Sequence, residues 1–191
     1  ELAGMINGEG WLEDGIRCDL TVVPCENYHH GKPYSLPVKP SPNLPNDHAI
    51  RLYPSTCFFE GTVLSEGRGT SMPFEVYGHP DLEGDFSFTP RSIPGVSGDP
   101  KFRDQLCVGA DLRGFVPEEG WTRLYLQWLL EAYEKFPVKS EFFLSYFDTL
   151  AGTTRLREQI EAGWDEHRIR SSWQPGLEAY LEVREKYLLY E

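Results

Sequence analysis

A chain of 191 residues, 40% hydrophobic and 14% aromatic, is long enough to bury a full core as one large domain or two small ones. Its formal charge of −12 argues against nucleic acid or an anionic membrane as the main partner. No run approaches the roughly eighteen apolar residues a membrane-spanning helix needs, and the 15 prolines and 18 glycines, which follow no period, read as turns.

From Glu1 to Trp11, Leu2, Met5 and Ile6 fall at i, i+3, i+4 spacing and predict a helix. No cap residue precedes Leu2 and no Met opens the chain, so the natural N-terminus is expected upstream, and the lack of a signal peptide decides nothing. Gly15 breaks the helix, and Cys18–Pro24 (CDLTVVP) predicts a strand. Helix, short loop and near-continuous apolar strand is the rhythm of an α/β unit. Residues 25–45 form a long ordered loop. His29 and His30 are adjacent, and neighbours on extended chain point opposite ways, which disfavours a shared metal. Cys18, Cys25, Cys57 and Cys107 lack metal spacing and are expected in strands or core as small hydrophobes, with a disulfide left open. Neither a metal nor a cofactor is expected.

Ala49–Tyr53 and Phe74–Tyr77 read as short strands. Near Pro80 the character changes: Phe86-Ser87-Phe88 and Gln105–Ala110 predict strands of a small sheet with a long loop between them. Pro117, followed by Glu118 and Glu119, starts a helix with Trp121, Leu124, Tyr125, Trp128, Leu129 and Ala132 on one apolar face, and Pro137 ends it. Further helices are predicted from Thr153-Thr154 to Gly163, from Asp165 to Trp173 and from Leu177 to Leu189. The fold class is therefore α/β in the first part and α+β in the second, where strands precede helices.

The stretch from Lys39 to Pro80 carries the chemistry. Glycosidases use two carboxylates about 5–10 Å apart, and Glu60 and Glu66 are the candidate pair. On a straight strand six residues would separate them by about 20 Å, so they cooperate only if the chain doubles back. The alternative is that both accept hydrogen bonds from loop amides and brace the turn. Arg68, between Gly67 and Gly69, can offer its fork to a carboxylate or phosphate, or can pin the loop by pairing with Glu60 or Glu66. Thr62, Ser65, Thr70 and Asn43 add neutral donors and acceptors suited to sugar hydroxyls. Tyr28, Tyr34, Tyr53, Phe58 and Phe59 can supply a stacking wall or pack in the core. The chain has no Gly-x-Ser-x-Gly elbow, phosphate loop or His-Glu-x-x-His.

The segment PSPNLP…YPSTCFFEGTVLSEGRGTSMPFEVYGHP closely resembles the NamZ-type exo-β-N-acetylmuramidases, formerly a domain of unknown function. Glu1–Asn7, Asp19–Pro24, Cys107-Val108-Gly109 and Glu185–Tyr190 fit the same family, so the resemblance covers essentially the whole chain. It implies the end of a Rossmann-like domain over residues 1–80 and a smaller α+β auxiliary domain over 81–191, with the active site in the cleft between domains. It implies release of non-reducing terminal N-acetylmuramic acid from peptidoglycan fragments, in the periplasm or outside the cell. The family's proposed catalytic glutamate is expected upstream of residue 1. What carries over is a cleft wall of Glu60, Thr62, Ser65, Glu66, Arg68 and Thr70, with the N-terminal half of the same protein as the expected partner. Val63 stands where many members read EGTN, and Glu26–His30 replaces a tryptophan-arginine segment. A non-catalytic glycan-binding or structural domain is the alternative.

Overall fold

The computed structural model describes residues 1–191, which divide into two compact units, Glu1–Ser35 with Arg170–Glu191 and Leu36–Ile169. In the smaller unit, α1 (Leu2–Glu9) ends at Gly10 in the left-handed conformation and buries Met5. The expected strand at Cys18–Pro24 does not form: the segment joins no sheet, and its backbone pairs with a side chain. Asn7 Oδ1 accepts the Cys18 N–H at 2.8 Å and Nδ2 donates to the Cys18 carbonyl at 3.0 Å, so one amide stands in for a neighbouring strand. Without a sheet partner its apolar side chains stay in solvent, Val23 at 84% exposure. Polar links tie the unit together: Tyr187 Oη donates to Glu9 at 2.8 Å, Cys25 N–H donates to Tyr190 Oη at 2.8 Å, and Glu1 accepts the Leu189 N–H at 2.8 Å.

The larger unit begins with an irregular segment and then α2 (Asp47–Thr56), where a strand was expected. Asn46 caps this helix by accepting the Ala49 N–H at 2.8 Å, and Ala49 and Leu52 lie buried on one side. Those cap and spacing signals outweigh the β-branched and aromatic content of AIRLY, and Pro54 sits inside the last turn. The Asn46 amide also donates to Glu75 at 3.2 Å. Glu75 in turn lies 3.1 Å from His48 Nδ1, and His48 Nε2 donates to the Phe115 carbonyl at 2.9 Å.

One sheet is present, antiparallel throughout, in the order β1 (Val76–His79), β3 (Cys107–Asp111), β2 (Phe86–Phe88). Val76 pairs with Asp111 and Phe88 with Cys107, so the sheet joins strands from both sides of Pro80. Val76, Phe88 and Cys107 form a core cluster with Met72, Phe86 and Phe102 against it. Of the cysteines only Cys107 behaves as a buried hydrophobe. Cys18 and Cys25 are exposed, Cys57 is half-buried, and all four are free thiols.

The helix expected from Pro117 starts ten residues later, as α3 (Gln127–Lys135), because Gly120 takes a positive φ and the chain turns. Its apolar face is as expected at Trp128, Leu129 and Ala132, which are buried. Then follow α4 (Lys139–Phe142), α5 (Phe147–Ala151) and α6 (Arg155–Glu161). The last two expected helices are one, α7 (Glu166–Glu185), which continues through Pro175: proline forfeits one N–H, but its fixed φ remains helical. No helix is long and apolar enough to cross a membrane.

His79, on β1, gives the fold a pH dependence. Its ring lies edge-on to Phe102 and Phe136, at centroid distances of 4.5 and 4.9 Å, and Nδ1 accepts the Asp81 N–H at 3.0 Å. Burial lowers its pKa below the usual histidine value, with Asp81 opposing. A depressed base binds protons more readily in the unfolded chain, so its contribution is complete above about pH 6.5 and is lost as pH falls through the folded value. NMR titration should place His79 below an exposed histidine. The fall in urea midpoint between about pH 7 and pH 5 should be smaller in His79→Gln.

Candidate functional site

Glu60 lies in a 3₁₀ turn, Cys57–Gly61, that extends α2. The chain then doubles back. Thr62 N–H donates to the Phe59 carbonyl at 3.1 Å, Val63 N–H to Phe142 at 3.0 Å, and Ser65 exchanges two bonds with Gly78 on the free edge of β1, at 2.8 and 3.0 Å. Gly67, at φ +80, turns the backbone again and leaves no room for a Cβ, which would lie 2.7 Å from the Met72 carbonyl.

This path brings both carboxylates onto one nitrogen. Arg68 Nη1 lies 2.8 Å from Glu60 Oε2 and 3.3 Å from Glu66 Oε1. Two oxygens set against a single atom at those distances are at most about 6 Å apart, inside the window over which glycosidase carboxylates cooperate. Glu66 is only 3% exposed, whereas the Arg68 side chain is 33% exposed and its guanidinium lies 5.0 Å from the centre of the Phe74 ring. Arg68 Nε and Glu66 Oε2 are both buried without a hydrogen-bond partner. Phe74 is held at φ +63, a costly conformation for a bulky residue, by donating its N–H to the Glu66 carbonyl at 2.7 Å.

The residue that sequence reasoning missed is Lys101. Its ammonium donates to the carbonyls of Thr62, Leu64, Phe59 and Glu60 at 2.8, 2.9, 3.0 and 3.3 Å, and lies 3.5 Å from Glu66 Oε2. Burial lowers its pKa, and Glu66 pulls it back up. With three N–H bonds shared among these acceptors, Lys101 binds the inside of the turn that carries Glu60. Nothing near position 101 signals this role, because its partners lie about forty residues earlier in the chain.

The other expected site residues are placed differently. Thr62 is buried, its hydroxyl donating to the Phe59 carbonyl at 2.9 Å and accepting from Leu64 N–H at 3.2 Å. The Ser65 hydroxyl accepts the Gly67 N–H at 3.3 Å, and that of Thr70 donates to the Gly67 carbonyl at 2.7 Å. These three hydroxyls shape the loop. Asn43 contacts Ser41 and Val96, apart from the Arg68 cluster. Of the aromatic wall, Phe58 and Phe59 are core, Phe59 stacked on Tyr77 at 4.4 Å, while Tyr53 stays half-open with its ring edge-on to Phe74 at 4.9 Å. The Cys57 thiol is pushed up to about 11 by burial, with Glu60 adding to it, so it is no nucleophile at neutral pH. No group of three or more His, Cys, Asp or Glu side chains is placed to hold a metal ion.

Residues 51–190 match the family model described as exo-beta-N-acetylmuramidase NamZ, C-terminal, and residues 1–48 match its N-terminal counterpart. The chain belongs to the NamZ family. It is 32% identical to the peptidoglycan beta-N-acetylmuramidase NamZ of Bacillus subtilis (strain 168), a match covering 100% of this chain and 49% of that protein. The crystal structure of a DUF1343 family protein from Bacteroides fragilis superposes with a TM-score of 0.92 at 46% identity, covering all of this chain and 54% of the other. The chain thus spans about half the length of the NamZ relatives it matches.

Proposed function

We propose that this chain is part of a glycosidase that releases N-acetylmuramic acid from the non-reducing ends of peptidoglycan fragments. The observation that carries this reading is the meeting of Glu60 and Glu66 on Arg68, in a chain whose residues 1–48 and 51–190 match the N- and C-terminal models of a muramidase family. Hydrolysis adds water across the glycosidic bond, with one group protonating the leaving oxygen and another assisting the attack at the anomeric carbon. Glu66 is too buried to touch a sugar. Its part is to orient Arg68, while Glu60 and the outer edge of Arg68 face the substrate. Because Nη1 is committed to the two glutamates, Nη2 is the donor left for an anionic group on the sugar, such as the lactyl carboxylate that distinguishes muramic acid from glucosamine. The remaining acid–base group is supplied by the rest of the N-terminal family half, which is the partner of this chain. The family resemblance implies action in the periplasm or outside the cell, and we propose that location for this protein.

Arg68→Ala, in a polypeptide of the relatives' full length carrying this chain, tests the assignment on muramyl and glucosaminyl substrates. The expected result is a loss of kcat/KM on the muramyl substrate about tenfold greater than on the glucosaminyl one. Equal losses on both would remove carboxylate recognition from Arg68. A second reading, a glycan-binding module without turnover, draws support from the burial and pairing of Glu66. Release of N-acetylmuramic acid by the full-length polypeptide decides against it, and saturable glycan binding without release decides for it.

A further inference from the structure

A cavity of about 330 Å³ opens beside the start of β2, the end of β3 and the last turn of α3. That volume is at the lower end of the range for small-ligand pockets. Its polar lining is Tyr77, Glu83, Asp85, Asp111, Glu131 and Lys135. Asp111 is already engaged by Arg113 through three hydrogen bonds, from the backbone N–H at 3.0 Å and from the guanidinium at 2.9 and 2.6 Å. Glu83, Asp85 and Glu131 make no ion pair, so unpaired negative charge exceeds the single positive charge of Lys135.

Acidic side chains at a surface are common, and Tyr77 is what makes this place unusual. It is only 4% exposed, its ring stacked on Phe59 at 4.4 Å, and it lines the cavity with a hydroxyl that no protein group bonds. A phenol oxygen at a cavity wall, without a partner in the protein, is free to bond whatever enters the cavity. Burial pushes its pKa up, with the Glu131 carboxylate adding to the effect, so the group is a neutral hydroxyl at physiological pH. The acids do not converge as a metal-binding set.

We propose that this cavity binds a small ligand through a primary ammonium group, held by the Glu131 carboxylate and the Tyr77 hydroxyl oxygen. An ammonium brings three donors and a positive charge to a place with acceptors and a surplus of negative charge, and charge-assisted bonds of this kind are the strong ones. This reading is independent of the muramidase assignment, since none of its residues belongs to the Arg68 cluster.

The probe is cadaverine, titrated into the chain and followed by NMR, with n-pentanol as its uncharged counterpart. Saturable shifts confined to the Gly84, Gly109 and Ala110 amides are expected for cadaverine, with none for pentanol. Glu131→Gln should weaken binding by about tenfold, and Tyr77→Phe, checked for folding by circular dichroism, should weaken it too. Glu134→Gln, on the same helix but outside this cavity, should leave binding unchanged. Absence of saturation overturns the proposal. So does an equal effect of Glu131→Gln and Glu134→Gln, which would reduce the binding to the general field of an acidic protein, or equal binding of pentanol, which would make the cavity merely apolar.

Discussion

Replacing Lys101 with methionine should destabilise the chain by about 3 kcal/mol, the lower end of the cost of removing one partner from a buried ionic cluster. Methionine keeps much of the aliphatic stem, so the loss is that of the ammonium. The carbonyls of Glu60, Thr62 and Leu64 lose their donor together, that of Phe59 is left to Thr62 alone, and Glu66 loses its nearest cation apart from Arg68. Each abandoned acceptor that stays dry costs further, which makes this the largest single-residue effect expected near the site. Lys101→Arg should not rescue it, because a planar fork cannot point its donors at acceptors arranged around a compact ammonium. Urea unfolding of the three proteins is the measurement. A loss under about 1 kcal/mol for the methionine variant would show that water replaces the ammonium without penalty.

Gly61→Ala should cost on the order of 3 kcal/mol. A Cβ at position 61 would lie 2.5 Å from the Cα and 2.9 Å from the N of Phe147, which are backbone atoms and cannot rotate aside. Retreat is blocked on both sides, because Leu144 N–H donates to the Gly61 carbonyl at 2.8 Å and Val63 N–H to the Phe142 carbonyl at 3.0 Å. To admit the methyl group, the 3₁₀ turn must move away from α5, carrying Glu60 off Arg68. Loss of stability should therefore come with loss of function in the full-length polypeptide. Thermal unfolding, together with a crystal structure of the variant showing the Glu60–Arg68 distance, checks both halves of the expectation. An unshifted melting temperature would mean that the contact relaxes at no cost.

The features legible in the sequence were those set by neighbours. Phe86–Phe88 and the strand around Cys107 alternate clearly and form β2 and β3, and the Trp128–Ala132 face is buried as its spacing requires. The charges of the site were also visible, because Glu60, Glu66 and Arg68 fall within nine residues of glycine-rich chain. What could not be read was whether they meet. That depends on Lys101, on residues 142–147 and on the edge of β1, none of them near in sequence. Ala49–Tyr53 misled for a different reason: a β-like composition followed the Asn46 cap, and the cap prevailed. Cys18–Pro24 has the composition of a strand but has no strand beside it, and sheet structure belongs to a pair rather than to a segment.

Glu60, Glu66, Arg68 and Lys101 together carry no net charge, in a chain that carries −12. Such a quartet casts almost no field beyond the roughly 8 Å over which salt screens exposed charges in the cell, so it cannot draw an anionic sugar toward itself. The surrounding acidity works against that approach. Whatever selectivity the site exerts is decided after collision, by which groups fit against Arg68, and not during diffusion.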